Sequence, residues 1–228
     1  MIDLKNLNKS FSQGERSIEV LKNLSLNLGS GETLAVLGQS GSGKSTLLSL
    51  LAGIDRPDSG EIILEGQNLA LLTEKELTRL RSKKIGIIFQ QFHLLPHLSA
   101  LENVTLPLEI LDDHKDFKKN VEEATKCLEE VGLKHRLDHF PSQLSGGEKQ
   151  RVAIARSLII GPDLILADEP SGSLDEKTGG QVMELIFSLV KSKGKSMILV
   201  THNKALAKSC DRTLMLEGGK LHALEVGP

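Results

Sequence analysis

The stretch GQSGSGKST, Gly38 to Thr46, fits the pattern GxxxxGK[ST], with Gly38, Gly43, Lys44 and Ser45 at its fixed places. Gly41 and Gly43 let successive backbone N–H groups turn into one concavity, a nest for an anion. Lys44 adds a full positive charge at the outer phosphates, and the Ser45 hydroxyl is placed to ligate a magnesium ion. Two further stretches complement this loop. In LILADEP the first acid, Asp168, is positioned to hold magnesium, and the second, Glu169, to orient and deprotonate an attacking water. In LSGGEKQR, Leu144 to Arg151, Ser145 and Glu148 have capping-box spacing, and two glycines expose backbone N–H groups just inside a helix start. Such glycines cost helix propensity, which makes sense if a second anion approaches there. The chain thus has two phosphate-seeking surfaces, and only a dimer uses both.

These groups need rigid elements behind them. TLAVL, Thr33 to Leu37, reads as a buried strand before the glycine loop, and STLLSLLAG reads as the helix after it, stopped by Gly53. KIGIIFQQ (Lys84 to Gln91), DLILADEP (Asp163 to Pro170) and SMILVTH (Ser196 to His202) are further apolar strands with polar ends. Strands ending at Gly38, Gln90, Asp168 and His202 would deliver polar groups to one edge of a parallel sheet. Ahead of them, apolar residues alternate from Ile2 to Leu28 on either side of the polar SQGERS, a hairpin-like or meandering β pattern. Phe11, where the first run ends, either caps the core or stacks on an adenine ring.

Pro57, Gly60 and Gly66 bracket another short strand, and Thr73 with Glu76 forms a capping box before a short helix carrying Leu77 and Leu80. From Phe92 to Ile160 the texture turns helical. Ser99 and Glu102 make a capping box, and the segment from Lys115 places Val121, Ala124, Leu128 and Val131 on one face before Gly132 stops it. The charged run Lys115 to Glu130 reads as the wet face of that helix. A helix from about Glu176 to Ser192 follows. The whole is an α/β protein of one domain, residues 1–228, with a helical insertion at about 92–160.

With 39% hydrophobic residues, 228 residues can bury a full core, and a net charge of −2 gives no case for nucleic-acid binding. Cys127 and Cys210 are isolated, as suits free thiols in a reducing compartment. No run approaches the ~18 apolar residues of a membrane span, so the expectation is a cytoplasmic protein that docks onto something spanning the membrane. His135 and His139, one helical turn apart, read as solvated or packing residues. His93 and His97 read as surface residues that could face a partner.

GQSGSGKST, Gln90, LSGGE, LILADEP, SGSLD and LVTH, in this order, resemble the Walker A, Q-loop, signature, Walker B, D-loop and H-loop of ABC-type ATPases. FHLLPHLSALENVTLPL and DEPSGSLD are similar to the lipoprotein-releasing and macrolide-exporting (LolD and MacB) group. KHRLDHFPSQLSGGE and SCDRTLMLEGGKL are closest to its YbbA-like branch. The resemblance implies a P-loop NTPase (RecA-like) core with an N-terminal antiparallel β subdomain and an inserted α-helical subdomain. It implies that two copies close head to tail around two ATP, with Phe11 stacking on adenine. Gly38, Gln39, Ser40, Gly41, Ser42, Gly43, Lys44, Ser45 and Thr46 would wrap the phosphates, facing Ser145, Gly146 and Gly147 of the other copy. Ser45 and Gln90 would ligate Mg2+, with Asp168 behind them. Glu169 would be the general base, His202 would contact the γ-phosphate, and Asp175 would link the two centres. A membrane permease of FtsX/MacB type would be gripped beside Gln90 by Phe92 to Leu98, holding the protein on the cytoplasmic face of the inner membrane.

Transport or membrane extraction of a lipid-like, lipoprotein or hydrophobic cargo is the expected work. Mechanotransmission to a periplasmic factor is the alternative, and a soluble ABC-type ATPase acting on ribosomes or DNA is a remoter one. Four positions depart from the commoner family pattern: Phe11 for Tyr, Glu148 for Gln, and Ser171 with Ser173 for Thr and Asn. Near a phosphate the Glu148 charge is unfavourable, although the helix dipole partly offsets it.

Overall fold

A computed structural model describes residues 1–14, 16–111 and 116–224. In chain order the elements are β1 (Ile2–Gln13), β2 (Arg16–Leu28), β3 (Thr33–Leu37), α1 (Lys44–Leu51), β4 (Ser59–Leu64), β5 (Gln67–Asn68), α2 (Glu74–Lys84) and β6 (Ile85–Ile88). They continue with α3 (Ala100–Ile110), α4 (Phe117–Glu130), α5 (Gly146–Leu158), β7 (Leu164–Asp168), α6 (Glu176–Ser192), β8 (Ser196–Thr201), α7 (Lys204–Ala207), β9 (Arg212–Glu217) and β10 (Lys220–Ala223). They gather into two compact units, residues 1–81 with 194–228, and residues 82–193.

The first unit holds an antiparallel sheet in the order β2-β1-β4-β5. It also holds the run β10-β9-β3-β8, in which β3 is parallel to both β8 and β9. The expected N-terminal hairpin is present, Phe11 pairing with Ile18, with Gly14 at φ 62 in the turn. Gly60 does not bracket β4 but lies inside it, at φ +94. A Cβ there would fall 2.5 Å from the Asn6 carbonyl and 2.6 Å from that of Lys5, where the β1–β4 register shifts. Only glycine fits that bulge. The Thr73–Glu76 capping box forms, and the helix it opens runs further than the sequence suggested, to Lys84.

In the second unit β6 and β7 form a parallel pair, Ile85 opposite Leu164 through Ile88 opposite Ala167. Leu164 to Ala167 are completely buried, as a near-continuous apolar run requires in a parallel sheet. Between these strands lie α3, α4 and α5. Ser99 caps α3 through a complete box with Glu102, and α4 ends before Gly132, at φ 78. The buried residues Ala124, Leu128 and Val131 confirm the face read from spacing. Lys115, where the sequence reading began this helix, lies outside the described residues.

Candidate functional site

The candidate residues fall into two sets, one in each unit. In the first unit, β3 is pinned on both sides by parallel neighbours, so its C-terminal end is a fixed launching point for the loop that follows. Gly38 stands at that end. A Cβ there would collide with Ser42 Oγ and lie 2.9 Å from the Leu216 carbonyl. The loop bends at Gly41, φ 77, and Gly43, φ 100, and Ser42 N–H donates to the Gln39 carbonyl at 3.2 Å. Gly43 is the N-cap of α1. No side chain caps that helix and its first turn carries no acid, so the positive end of its dipole faces the loop without a compensating carboxylate.

Lys44 is 7% exposed, and its ammonium donates to the carbonyls of Gly38 and Gln39 at 2.9 Å each. The Ser42 hydroxyl is buried and finds no hydrogen-bond partner among the described residues. Buried polar groups are normally satisfied, so a sequestered cation beside an orphaned hydroxyl describes a cradle that fits an anionic ligand. His202 lines a cavity of about 420 Å³ with Gly38 to Ser42, Lys204 and Met215 to Gly218, on the first half of the loop and apart from Lys44. Ser45 is exposed in the first turn of α1.

Phe11 is 45% exposed and Ile18 opposite it 47%, with the Lys9 ammonium 5.1 Å from the Phe11 ring centre. Val20 is the extra residue of β2 where its register with β1 shifts between Lys9 and Ser10. Its Cγ1 stands 2.9 Å from where a Gly43 Cβ would be, so the strand that abuts the glycine loop is the one paired with Phe11.

In the second unit, Asp168 ends β7 and Glu169 follows at φ 42, a left-handed conformation that costs a non-glycine residue ~1 kcal/mol or more. The chain then turns, Gly172 N–H donating to the Glu169 carbonyl at 2.8 Å. The Gln90 side chain rests on that turn. A Cβ on Gly172 would be 2.9 Å from Gln90 Nε2, and Ser173 Oγ donates to the Gln90 carbonyl at 3.0 Å. Gln90 therefore lies against the turn that follows Glu169, and Ser173, one of the departures in sequence, is part of the clasp. Asp175 caps α6 by accepting from Thr178 N–H at 3.0 Å, and these bonds hold its carboxyl below its ordinary range.

Ser145 caps α5 through a complete box with Glu148. The two glycines that follow have a second reason to be small. A Cβ on Gly147 would stand 2.5 Å from Thr178 Cγ2, and one on Gly146 3.0 Å from Leu174 Cδ2. Close packing against the start of α6 thus demands what anion approach would also demand.

Sequence reasoning missed the side chains that fix these segments. Gln150 and Arg156, on α5, hold the stretch after β6. Gln150 Nε2 donates to the Phe89 carbonyl at 3.2 Å, and Arg156 donates to the carbonyls of Phe92 at 3.0 Å and His93 at 2.6 Å. His93, at φ 47, packs edge-on against Phe89. Arg136 reaches Glu148, Nε to Oε1 at 2.9 Å. The Glu148 carboxyl is held down to about 2 by the Ser145 N–H, then by Arg136 and the Ser145 hydroxyl. Nothing in the sequence marks these arginines, whose partners are backbone carbonyls or lie in distant turns; only the acid in the signature hinted that a cation was needed.

The family model described as ABC transporter matches residues 21–172. The chain is 47% identical to the ABC transporter ATP-binding protein YbbA of Escherichia coli K12, covering 97% of this chain and 96% of that protein. It is 47% identical to the lipoprotein-releasing system ATP-binding protein LolD of Pseudomonas syringae pv. tomato, with the same coverage, and 44% identical to LolD of Xanthomonas campestris pv. campestris, covering 98% and 93%. Among solved structures it resembles the ATP-binding cassette MJ0796, in a dimeric post-hydrolysis state bound to ADP and Pi, with a TM-score of 0.91 and 41% identity over 99% of this chain and 98% of that one.

Proposed function

The chain belongs to the ABC transporter family, as an ATP-hydrolysing cassette of the LolD, MacB and YbbA kind, and we propose that two copies close around two ATP, with the glycine loop of one facing the signature of the other. The domain is then a single nucleotide-binding domain. In it, Gly38 to Thr46 wrap the phosphates, Lys44 leaves the Gly38 and Gln39 carbonyls for the β- and γ-phosphates, and Phe11 stacks on adenine. Glu169 takes the proton of the attacking water, its strained backbone fixing the carboxylate's direction. His202, on the wall of the Walker A cavity, contacts the γ-phosphate. Ser145, Gly146 and Gly147 of the partner copy close the far side, and Asp175 links the two centres.

Mg2+, when bound, would neutralise phosphate charge, held by the Ser45 hydroxyl and Gln90 amide with Asp168 behind them. That all-oxygen donor set suits the ion, which usually takes its remaining ligands from phosphate and water. Among the described residues no cluster of three His, Cys, Asp or Glu forms a protein-only cage for it. No described helix is long and apolar enough to cross a membrane. We therefore assign the transmembrane work to a permease of FtsX/MacB type, which would hold the protein peripherally on the cytoplasmic face of the inner membrane. The name lipoprotein-releasing system, carried by the LolD relatives, supports a lipoprotein or lipid-like cargo.

The observation that carries this reading is the Lys44 ammonium buried beside the orphaned Ser42 hydroxyl. Lys44→Ala should weaken ATP binding by ten- to about a hundredfold, the worth of a charge-assisted hydrogen bond. Isothermal titration would measure it, and wild-type affinity in the variant would contradict the reading.

A further inference from the structure

The start of α5 holds two opposed demands. On the reading above, Ser145, Gly146 and Gly147 receive the triphosphate held by a second copy, yet a carboxylate stands at Glu148. That carboxylate is committed on both oxygens. Oε2 accepts from Ser145 N–H and from the Ser145 hydroxyl, at 2.8 Å each, while Glu148 N–H donates to Ser145 Oγ at 3.3 Å. Oε1 accepts from Arg136 Nε at 2.9 Å. Arg136 comes from a different part of the unit, the short 3-10 turn Lys134–Arg136.

That turn is itself anchored. Arg136 N–H donates to the Leu133 carbonyl at 2.9 Å, His139 N–H to the Arg136 carbonyl at 3.1 Å, and Ala100 N–H to the His139 carbonyl at 2.8 Å. The second arm of the guanidinium, Nη1, lies 3.1 Å from His139 Nε2. The cation is thus fixed by the carboxylate on one side and the imidazole on the other.

We propose that Arg136 is a positioning residue for the signature serine: it neutralises Glu148 and keeps that carboxylate turned onto Ser145, so that an acidic signature can meet a triphosphate. The proposal rests on the two-copy reading. Without Arg136 the carboxylate would stand uncompensated a few ångströms from the incoming phosphates, and its grip on Ser145 would lose the partner that orients it. With a glutamine at this position there is no charge to neutralise, and the amide oxygen still accepts from Ser145 N–H. Arg136 should therefore matter only while Glu148 is acidic, which a purely structural prop would not reproduce.

The test uses the full chain carrying Glu169→Gln, ATP with Mg2+, and sedimentation velocity to find the ATP concentration at which half the protein is dimeric. Adding Arg136→Ala should raise that concentration roughly tenfold, as expected for one uncompensated like charge in a partly solvated site. Adding Arg136→Ala together with Glu148→Gln should cost about twofold or less relative to Glu148→Gln alone. Arg136→Gln, which keeps a hydrogen-bonding arm but drops the charge, gives the same contrast should the alanine protein be unstable. An equal penalty in both backgrounds, or none in either, overturns the proposal. A Glu169→Gln parent that never dimerises with ATP would remove the two-copy reading and the proposal with it, a result distinct from an unpaired penalty.

Discussion

The Glu148 carboxyl is held far below its ordinary value of 4.5, at about 2, by the Ser145 N–H, the Arg136 guanidinium and the Ser145 hydroxyl. Replacing it by glutamine removes the charge and keeps an acceptor for the helix cap. A displacement of that size is worth at most ~3.4 kcal/mol. The Glu148 side chain is 26% exposed and Arg136 46%, so solvent screening reduces this to about 1–2 kcal/mol. The sign follows from the direction of the shift. A carboxyl whose folded-state pKa is depressed contributes stability that is present above its unfolded value, near 4.5, and is lost as pH falls toward 2. Urea unfolding of the wild-type and Glu148→Gln proteins at pH 7 should differ by about 1–2 kcal/mol in favour of the wild type. By about pH 3 less than half of that gap should remain. A gap that is absent at pH 7, or the same at both pH values, would refute the assignment of this stabilisation to an ionised Glu148. The same shift keeps Glu148 charged throughout the physiological range, which is why a neutralising partner matters at the signature.

A Cβ at Gly86, in β6, would stand 2.5 Å from the Ser157 carbonyl and 3.0 Å from both Ile165 Cδ1 and Pro162 Cγ. Gly86→Ala should therefore cost about 2–3 kcal/mol of stability in urea unfolding, and a loss under about 0.5 kcal/mol would show the strand to be less tightly enclosed. Phe11→Ala should weaken ATP binding about tenfold by loss of ring stacking, while Phe11→Tyr should bind like the wild type. Equal affinity of all three proteins in a titration would remove Phe11 from the adenine site.

The elements that position the site were legible wherever their signals are local. The glycine loop between a buried strand and a helix, the boxes at Thr73, Ser99 and Ser145, and the span of α6 all follow from residues within a few positions of one another. What escaped depends on residues far apart in sequence. Gly60 looked like punctuation, and its need for glycine comes from the carbonyls of Lys5 and Asn6 on a neighbouring strand. The signature glycines looked like a concession to a phosphate, but Thr178 also crowds a Cβ at Gly147 and Leu174 presses close to one at Gly146. Asp175 was read for its reach toward a second copy, and its carboxylate also caps α6. Arg136 and Arg156 carry no pattern of their own, because a guanidinium on a carbonyl or a carboxylate many residues away leaves no periodic trace. The β9–β10 hairpin was likewise seen only as a resemblance in SCDRTLMLEGGKL, since its short strands are half exposed and flank the paired glycines Gly218 and Gly219.

A nucleotide shared between Walker A of one copy and Ser145 of another is the centre of the proposed mechanism. Sedimentation of the Glu169→Gln protein with saturating ATP and Mg2+ tests it most directly: the account predicts a dimer that disperses when ATP is removed and fails to form when Ser145→Arg is added. A protein that stays monomeric under those conditions, or whose dimer is indifferent to Ser145→Arg, would contradict it.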